Sequence, residues 1–143
     1  MYRLFVAISI LCLVVVGMSC GNNTKSAEHQ QEESNNEIRA DIRTDSITEV
    51  LVEFGDVARS TLATKKILLY NTTDTTLSFV DYKATCRCTW IDLPTRAIAP
   101  GGTAEATLKF DSRGEYGSIG NYLDIRTSDP RCRVGIWMSA YVK

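Results

Sequence analysis

Histidine is nearly absent from this sequence, and its one copy is His29. Residues 47–143 contain none, so that part of the chain has no Ser-His-Asp set and no histidine general base. The acidic residues are scattered over predicted strands and turns, and Asp111 and Glu115 fall in a turn, where they form no catalytic pair. We therefore expect a protein that is not an enzyme.

A surplus of positive charge is also lacking. The chain has 16 Lys and Arg residues against 17 Asp and Glu residues. Proteins that bind nucleic acids need basic residues to neutralise phosphates, and their binding surfaces are correspondingly basic. We expect no nucleic-acid partner.

One apolar run stands out, at residues 4–16, and it is shorter than the roughly 20 apolar residues that span a membrane. Arg3 precedes the run, and the small residues Gly17 and Ser19 lead to Cys20. This order of charge, apolar run and small residues is typical of a secretory signal peptide.

A signal that ends on a cysteine resembles the bacterial lipoprotein signal, in which the thiol is acylated and the cysteine becomes the first residue. Gly17 stands where that pattern usually has leucine. We expect a signal peptide at 1–19 and lipidation of Cys20. The protein would be exported and lipid-anchored to the bacterial cell envelope, with the outer membrane as the expected location. The alternatives are an ordinary cleaved signal or an uncleaved anchor, with Cys20 incidental.

Residues 20–46 have little that could form a core. They are rich in Asn, Gln, Glu and Ser, and Ile38 and Ile42 are the only sizeable aliphatic residues. Such a segment buries too little apolar area to offset the entropy of ordering it. We expect a flexible acidic tether, on which His29 is solvated rather than bound to a metal.

From Ile47 onward, short β-rich runs alternate with turn residues. The clearest is TAEATLKF at 103–110, whose strict alternation of apolar and polar residues is typical of a half-buried strand. Pro100-Gly101 predicts a type II turn. Turn signals recur throughout, and no helical pattern is convincing. Residues 47–143 are predicted to be all-β, an immunoglobulin-like antiparallel β-sandwich of seven or eight strands. A barrel with as many strands is the alternative.

Five landmarks follow one another in this region: FGDV, YNTTDTTL, CRCT, IAPGGTAEATLKF and GSIGNYLDIRTSDP. Together they resemble domain of unknown function 1573, an immunoglobulin-like family of secreted and lipid-anchored bacterial proteins. Arg87, Asp74 and Ser128 stand where that family usually has Gly, Gly and Asn. The resemblance implies the fold over roughly residues 48–143, and it implies no activity.

Three cysteines, Cys86, Cys88 and Cys132, lie in the predicted domain. In an extended strand, residues 86 and 88 would have Cα atoms about 6.6 Å apart, near the upper limit for a disulfide. We therefore expect no bridge between them. Four alternatives remain open: a disulfide from one of them to Cys132, packed thiols, a three-thiolate site for a soft metal such as Cu(I), or a redox-active thiol. Otherwise we expect no cofactor.

Two short patterns resemble an Asp-Ser/Thr-apolar signal for bacterial O-glycosylation, and they make Ser46 and Thr75 candidate sites. Ordinary turn residues are the simpler interpretation of both.

Aromatic residues could serve either the core or a binding surface. Trp90 and Trp137 are expected in the core, because a small sandwich needs their bulk. If these residues were exposed, they would form a binding platform with Tyr116 and Tyr122.

The sequence as a whole predicts a lipid-anchored, non-enzymatic protein-interaction or adhesion module. Its partners would be the membrane, through the lipid, and an unknown protein or glycan. The alternative is a copper-binding or thiol-handling envelope protein built on the Cys-x-Cys motif.

Overall fold

The structure is a computed structural model that describes residues 37–143. The predicted signal peptide, Cys20, His29 and most of the predicted tether lie outside the described residues. Within the described part, no helix is both long and apolar enough to cross a membrane.

In residues 37–143, eight β-strands form two four-stranded sheets, which confirms the all-β sandwich and excludes the barrel. One sheet has the order β1-β3-β6-β5 and the other the order β2-β8-β7-β4. The strands are β1 (Ile38–Ile42), β2 (Ser46–Val57), β3 (Leu62–Asn71), β4 (Phe79–Ala84), β5 (Thr89–Asp92), β6 (Thr103–Asp111), β7 (Gly117–Thr127) and β8 (Cys132–Val142).

The sheets are mixed rather than purely antiparallel as predicted. β1 pairs with β3 and β2 pairs with β8 in parallel, whereas the other pairings are antiparallel. The reason is the corner between β1 and β2, where Asp45 adopts a positive φ of 58° and the chain changes sheets. Because β1 and β2 do not form a hairpin, each pairs with a strand distant in sequence.

The folded region begins before Ile47, so the predicted boundary between the tether and the domain is wrong. Ile38, Ala40 and Ile42 alternate with Arg39 and Asp41 along β1, and Ala40 and Ile42 are fully buried. A strand of five residues needs only three inward side chains to dock on a sheet edge. The polar composition of the surrounding segment hid this short pattern.

The core lies between the sheets and confirms the predicted alternation of β6. Ala106, Leu108 and Phe110 are buried, and the ring of Phe110 packs 6.0 Å from that of Phe54. Buried apolar side chains of β8 face them from the other sheet; these include Val134, Ile136 and Met138.

Asn71, at the end of β3, holds two loops together through a fully buried side chain. Its Nδ2 donates to the carbonyl oxygens of Thr75 at 2.7 Å and Ile98 at 2.9 Å. Its Oδ1 accepts from the Thr73 amide at 3.0 Å and the Thr73 hydroxyl at 2.7 Å. All four hydrogen-bonding positions of the amide are therefore used.

The turn at residues 99–102 lies beside this network. The Gly102 amide donates to the Ala99 carbonyl at 2.9 Å, and Gly101 has a φ of 71°. These features confirm a turn with proline first and a left-handed glycine second. The Gly101 amide then donates to the Asn71 carbonyl at 2.8 Å, which joins the turn to β3.

Candidate functional site

Cys86 and Cys88 are joined by a disulfide, so the expectation that they would not bond is wrong. They lie in the turn between β4 and β5 rather than in a strand, and their Cα atoms are 5.2 Å apart. The turn brings the two Cα atoms closer than an extended strand would, and the exposed Arg87 lies at its centre.

Cys132 is a free, fully buried thiol at the start of β8, which excludes the alternative of a disulfide with Cys86 or Cys88. Asn121, which contacts Cys88, and Thr127, which contacts Cys132, lie six residues apart on β7. That spacing is about 20 Å along a strand, so these three cysteines do not form a three-thiolate site.

Burial, followed by the nearby Asp129 carboxylate, raises the pKa of the Cys132 thiol above its ordinary value. Since the thiolate is the reactive form of cysteine, Cys132 is an inert packing residue. Of the interpretations left open for Cys132, packing is the one that this environment fits.

The disulfide closes a loop made of residues 86–88 alone. In the chain-entropy model, a loop this short stabilises the fold by about 1.5–2 kcal/mol, against about 3–4 kcal/mol for a loop of roughly 45 residues. The bridge therefore stabilises the fold less than a bond to Cys132 would have done.

Buried polar groups surround the disulfide. The Asn121 Nδ2 atom lies 3.3 Å from Cys88 Sγ and 2.9 Å from Thr89 Oγ1, and Thr89 Oγ1 lies 3.7 Å from Cys88 Sγ. A carboxylate oxygen of Glu115 and the sulfur atoms of Cys86 and Cys88 all lie within 4.8 Å of one another. The sequence pattern did not indicate Asn121, because it lies on β7, far from the cysteines in sequence. It did not indicate Thr89 either, because its burial beside Cys88 depends on how the strands pack.

A second feature lies on the outer face of the sheet β2-β8-β7-β4. Leu51, Trp137 and Tyr122 are neighbours on three adjacent strands, and we call them the aromatic strip. Leu51 is 60% exposed and Trp137 is 50% exposed, so the expectation that Trp137 belongs to the core is wrong. Trp137 lies at an outward position of β8, whose alternate residues form the core.

Tyr122 packs against its neighbours in the strip. Its ring centroid lies 4.6 Å from that of Trp137, with the planes tilted by 46°. A Cβ atom on Gly135 would come within 2.4 Å of the Tyr122 hydroxyl, so the glycine leaves room for the ring. Burial raises the pKa of Tyr122, and the negative charges of Asp124 and Glu49 raise it further.

The charged residues around the strip are unequally paired. Arg133 pairs with Asp124, and Arg126 pairs with Asp81, so these arginines are already neutralised. They line a shallow hollow of about 390 Å³ together with Val80 and Lys83.

Glu49 and Glu53 flank Leu51 on β2, and both are exposed. Among residues 37–143, neither takes part in an ion pair. The side of the strip nearest β2 therefore carries uncompensated negative charge.

The remaining predicted positions lie apart from both features. Ser46 is the exposed first residue of β2, and Thr75 is an exposed residue of the loop after β3. Glycosylation of either one stays a prediction. Trp90 is half-buried, and Tyr116 is exposed in the loop before β7.

The two packed sheets and their connections define an immunoglobulin-like β-sandwich domain. A family described as "Protein of unknown function (DUF1573)" matches residues 46–142. The chain belongs to this family, which confirms the resemblance noted from its motifs. No curated protein matches the sequence.

Comparison with solved structures finds matches at low identity. A crystal structure of a protein of unknown function from Porphyromonas gingivalis W83 superposes with a TM-score of 0.55 and 18% identity. The match covers 73% of this chain and 47% of that one, so this chain spans about half of its length. The PapD-like domain 7 of human CEP192 gives a TM-score of 0.49 at 12% identity, covering 71% and 83% of the two chains.

Proposed function

We propose that this chain is a lipid-anchored protein-interaction module of the bacterial cell envelope, and that the aromatic strip binds its partner. The observation that supports this most directly is the exposure of Leu51 beside Trp137 on a regular sheet. Large apolar and aromatic side chains are enriched where protein surfaces meet, and tryptophan and tyrosine often dominate the binding energy. An immunoglobulin-like fold is compatible with this role.

Charge indicates the chemistry of the partner. Glu49 and Glu53 present free carboxylates beside Leu51, whereas the arginines on the same face already pair with aspartates. Complementary charge raises the association rate and selects between partners. The expected partner is a protein segment that carries lysine or arginine next to an apolar side chain.

A photo-crosslinking residue at position 51 tests this interaction in the intact bacterium. It is expected to yield one discrete protein adduct, because the residue at that position would lie inside the interface. The same residue at position 62 is the matched control, since Leu62 is 54% exposed but belongs to the other sheet. Changing Glu49 and Glu53 together to lysine should reduce the adduct at least tenfold.

Equal adducts from positions 51 and 62 would contradict a specific surface. No protein adduct from position 51, combined with binding of a purified envelope glycan that Trp137→Ala abolishes, would also overturn the proposal and assign the strip to carbohydrate.

The lipid anchor has its own test. Two or three acyl chains hold a protein durably on a membrane, because each buried CH₂ contributes about 0.8 kcal/mol. Labelled palmitate fed to the cells should appear in the protein, and Cys20→Ala should abolish that incorporation. Cys12→Ala, within the predicted signal, is the matched control and should retain the label. Incorporation that survives Cys20→Ala would show that Cys20 is not the lipidation site.

A further inference from the structure

The Cys86–Cys88 disulfide combines partial solvent exposure with a loop of minimal length. Both cysteines are half-buried, and only residues 86–88 lie in the ring that the bond closes. Accessible disulfides that contribute little to the fold are the ones that exchange with thiols, whereas structural bridges resist reduction.

The surroundings of Cys88 favour its release as a thiolate. Asn121 Nδ2 carries two hydrogens, and two acceptors lie within its reach: Thr89 Oγ1 at 2.9 Å and Cys88 Sγ at 3.3 Å. Because Thr89 accepts from Asn121, its own proton is free to turn toward Cys88 Sγ, 3.7 Å away. Thr89 is 1% exposed and Asn121 is 7% exposed, so both are held by the fold.

Cys86 differs from Cys88 in its contacts. Cys88 packs against the hydrophobic core, whereas Cys86 is not among the residues that do so. The Cys88 amide donates to Cys86 Sγ at 3.0 Å, which aids the later release of this sulfur. An incoming thiol therefore meets Cys86 first, and the sulfur that leaves is the one hydrogen-bonded by Asn121.

We propose that the Cys86–Cys88 pair is a thiol–disulfide exchange site for dithiols of other exported proteins. A partner thiolate attacks Cys86 Sγ, the Cys86–Cys88 bond breaks with its electron pair going to Cys88, and a mixed disulfide forms. The partner's second thiolate attacks the partner sulfur of that bond and releases Cys86. The partner is oxidised to a disulfide, and its two protons are recovered by Cys86 and Cys88.

Glu115 supplies a proton acceptor at the site. Its carboxylate lies within 4.8 Å of both sulfur atoms, where it can take the proton of an incoming thiol. The same step run in reverse lets the reduced pair donate its electrons to a partner disulfide. This inference is independent of the aromatic strip, and it rests on the proposed export of the chain.

The test uses the full chain and glutathione as the probe. Protein is incubated in buffers of defined reduced and oxidised glutathione, its free thiols are alkylated, and its intact mass is measured. Samples taken over time give the rate of exchange, and samples at equilibrium give the equilibrium constant. Asn121→Leu and Thr89→Val, which keep approximate volume, should each slow reduction by glutathione at least tenfold. Both should also shift the equilibrium toward the disulfide, because the Cys88 thiolate loses a donor.

A single-cysteine variant gives a readout that a structural role would not change. In Cys86→Ser, the pH midpoint for alkylation of Cys88 measures how far its surroundings stabilise the thiolate. Adding Asn121→Leu should raise that midpoint. Ser112→Ala is the matched control, because Ser112 is a fully buried hydroxyl that donates to the Ala58 carbonyl at 2.7 Å, with no sulfur contact. It should leave both the midpoint and the exchange rate unchanged.

Three results would overturn the proposal. One is a disulfide that glutathione does not reduce in the folded protein. Another is an exchange rate and alkylation midpoint that Asn121→Leu leaves unchanged. The third is stoichiometric Cu(I) binding by the reduced pair without exchange, which would assign Cys86, Cys88 and Glu115 to metal instead.

Discussion

Asn71→Ala is expected to lower the free energy of unfolding by about 3–5 kcal/mol. The substitution removes four hydrogen bonds made by a fully buried side chain. It leaves the hydroxyl and amide of Thr73 and the carbonyl oxygens of Thr75 and Ile98 without these partners. The Thr73 amide loses its acceptor, and a buried polar group left unpaired costs about 1–3 kcal/mol. The Ile98 carbonyl still accepts from the Leu77 amide, and the Thr75 carbonyl still accepts from the Thr73 hydroxyl. These groups lose only a hydrogen bond each, at about 0.5–1.5 kcal/mol.

Urea unfolding followed by tryptophan fluorescence measures this loss. Asn71→Asp separates the two halves of the network, because a carboxylate still accepts from Thr73 but no longer donates to Thr75 and Ile98. Asp74→Ala is the matched control, since Asp74 is an exposed residue of the same loop, and its effect should stay within about 0.5 kcal/mol. A loss below about 1 kcal/mol for Asn71→Ala would contradict its role as the link between the loops.

Phe110→Ala is expected to cost about 3–5 kcal/mol, since truncating a buried phenylalanine loses transfer free energy and leaves a cavity. Phe110 is the largest fully buried side chain of the described residues, at the register position of Ala63 on β3 and Thr89 on β5. Its ring also packs 6.0 Å from that of Phe54 on the other sheet. The total stability of a domain this size is about 5–15 kcal/mol, so this one change removes a large share of it.

Thermal and urea unfolding of the purified variant check this value. Phe110→Leu should lose less than the alanine variant, because it retains much of the buried volume. Leu62→Ala lies on the same sheet with a 54% exposed side chain, and it should lose less than about 1 kcal/mol. Similar losses at positions 62 and 110 would show that the core does not lie where the two sheets face each other.

How well the sequence predicted each strand depended on the length of its pattern. The run 103–110 alternates over eight residues, and β6 covers Thr103–Asp111. β1 offers only Ile38, Ala40 and Ile42 within a polar segment, and its docking on β3 is a tertiary contact that no local pattern reports. The prediction for Trp137 was wrong for a related reason. Its size favours burial, but in the alternation of inward and outward side chains along β8 it occupies an outward position.

Prediction of the candidate site required even more knowledge of tertiary contacts. The two cysteines were visible, but their pairing required knowing that residues 86–88 form a turn rather than a strand. In the sequence, β5 and β6 lie between Cys88 and Asn121, and the two residues meet only after the two sheets pack together. The aromatic strip likewise joins residues from β2, β7 and β8, which the strand order alone brings side by side.

The parallel pairing of β2 with β8 also governs when folding can finish. Ser46 pairs with Cys132 and Val57 with Val142, so the first long strand waits for a partner roughly 85 residues further along the chain. Non-local pairings of this kind slow folding, because loop-closure entropy is lost before the contacts form. Until β8 emerges, β2 has no partner in its sheet, and the chain remains open. If the chain is exported, as we propose, that delay would keep the polypeptide unfolded and able to pass through a translocation channel until almost all of it has crossed.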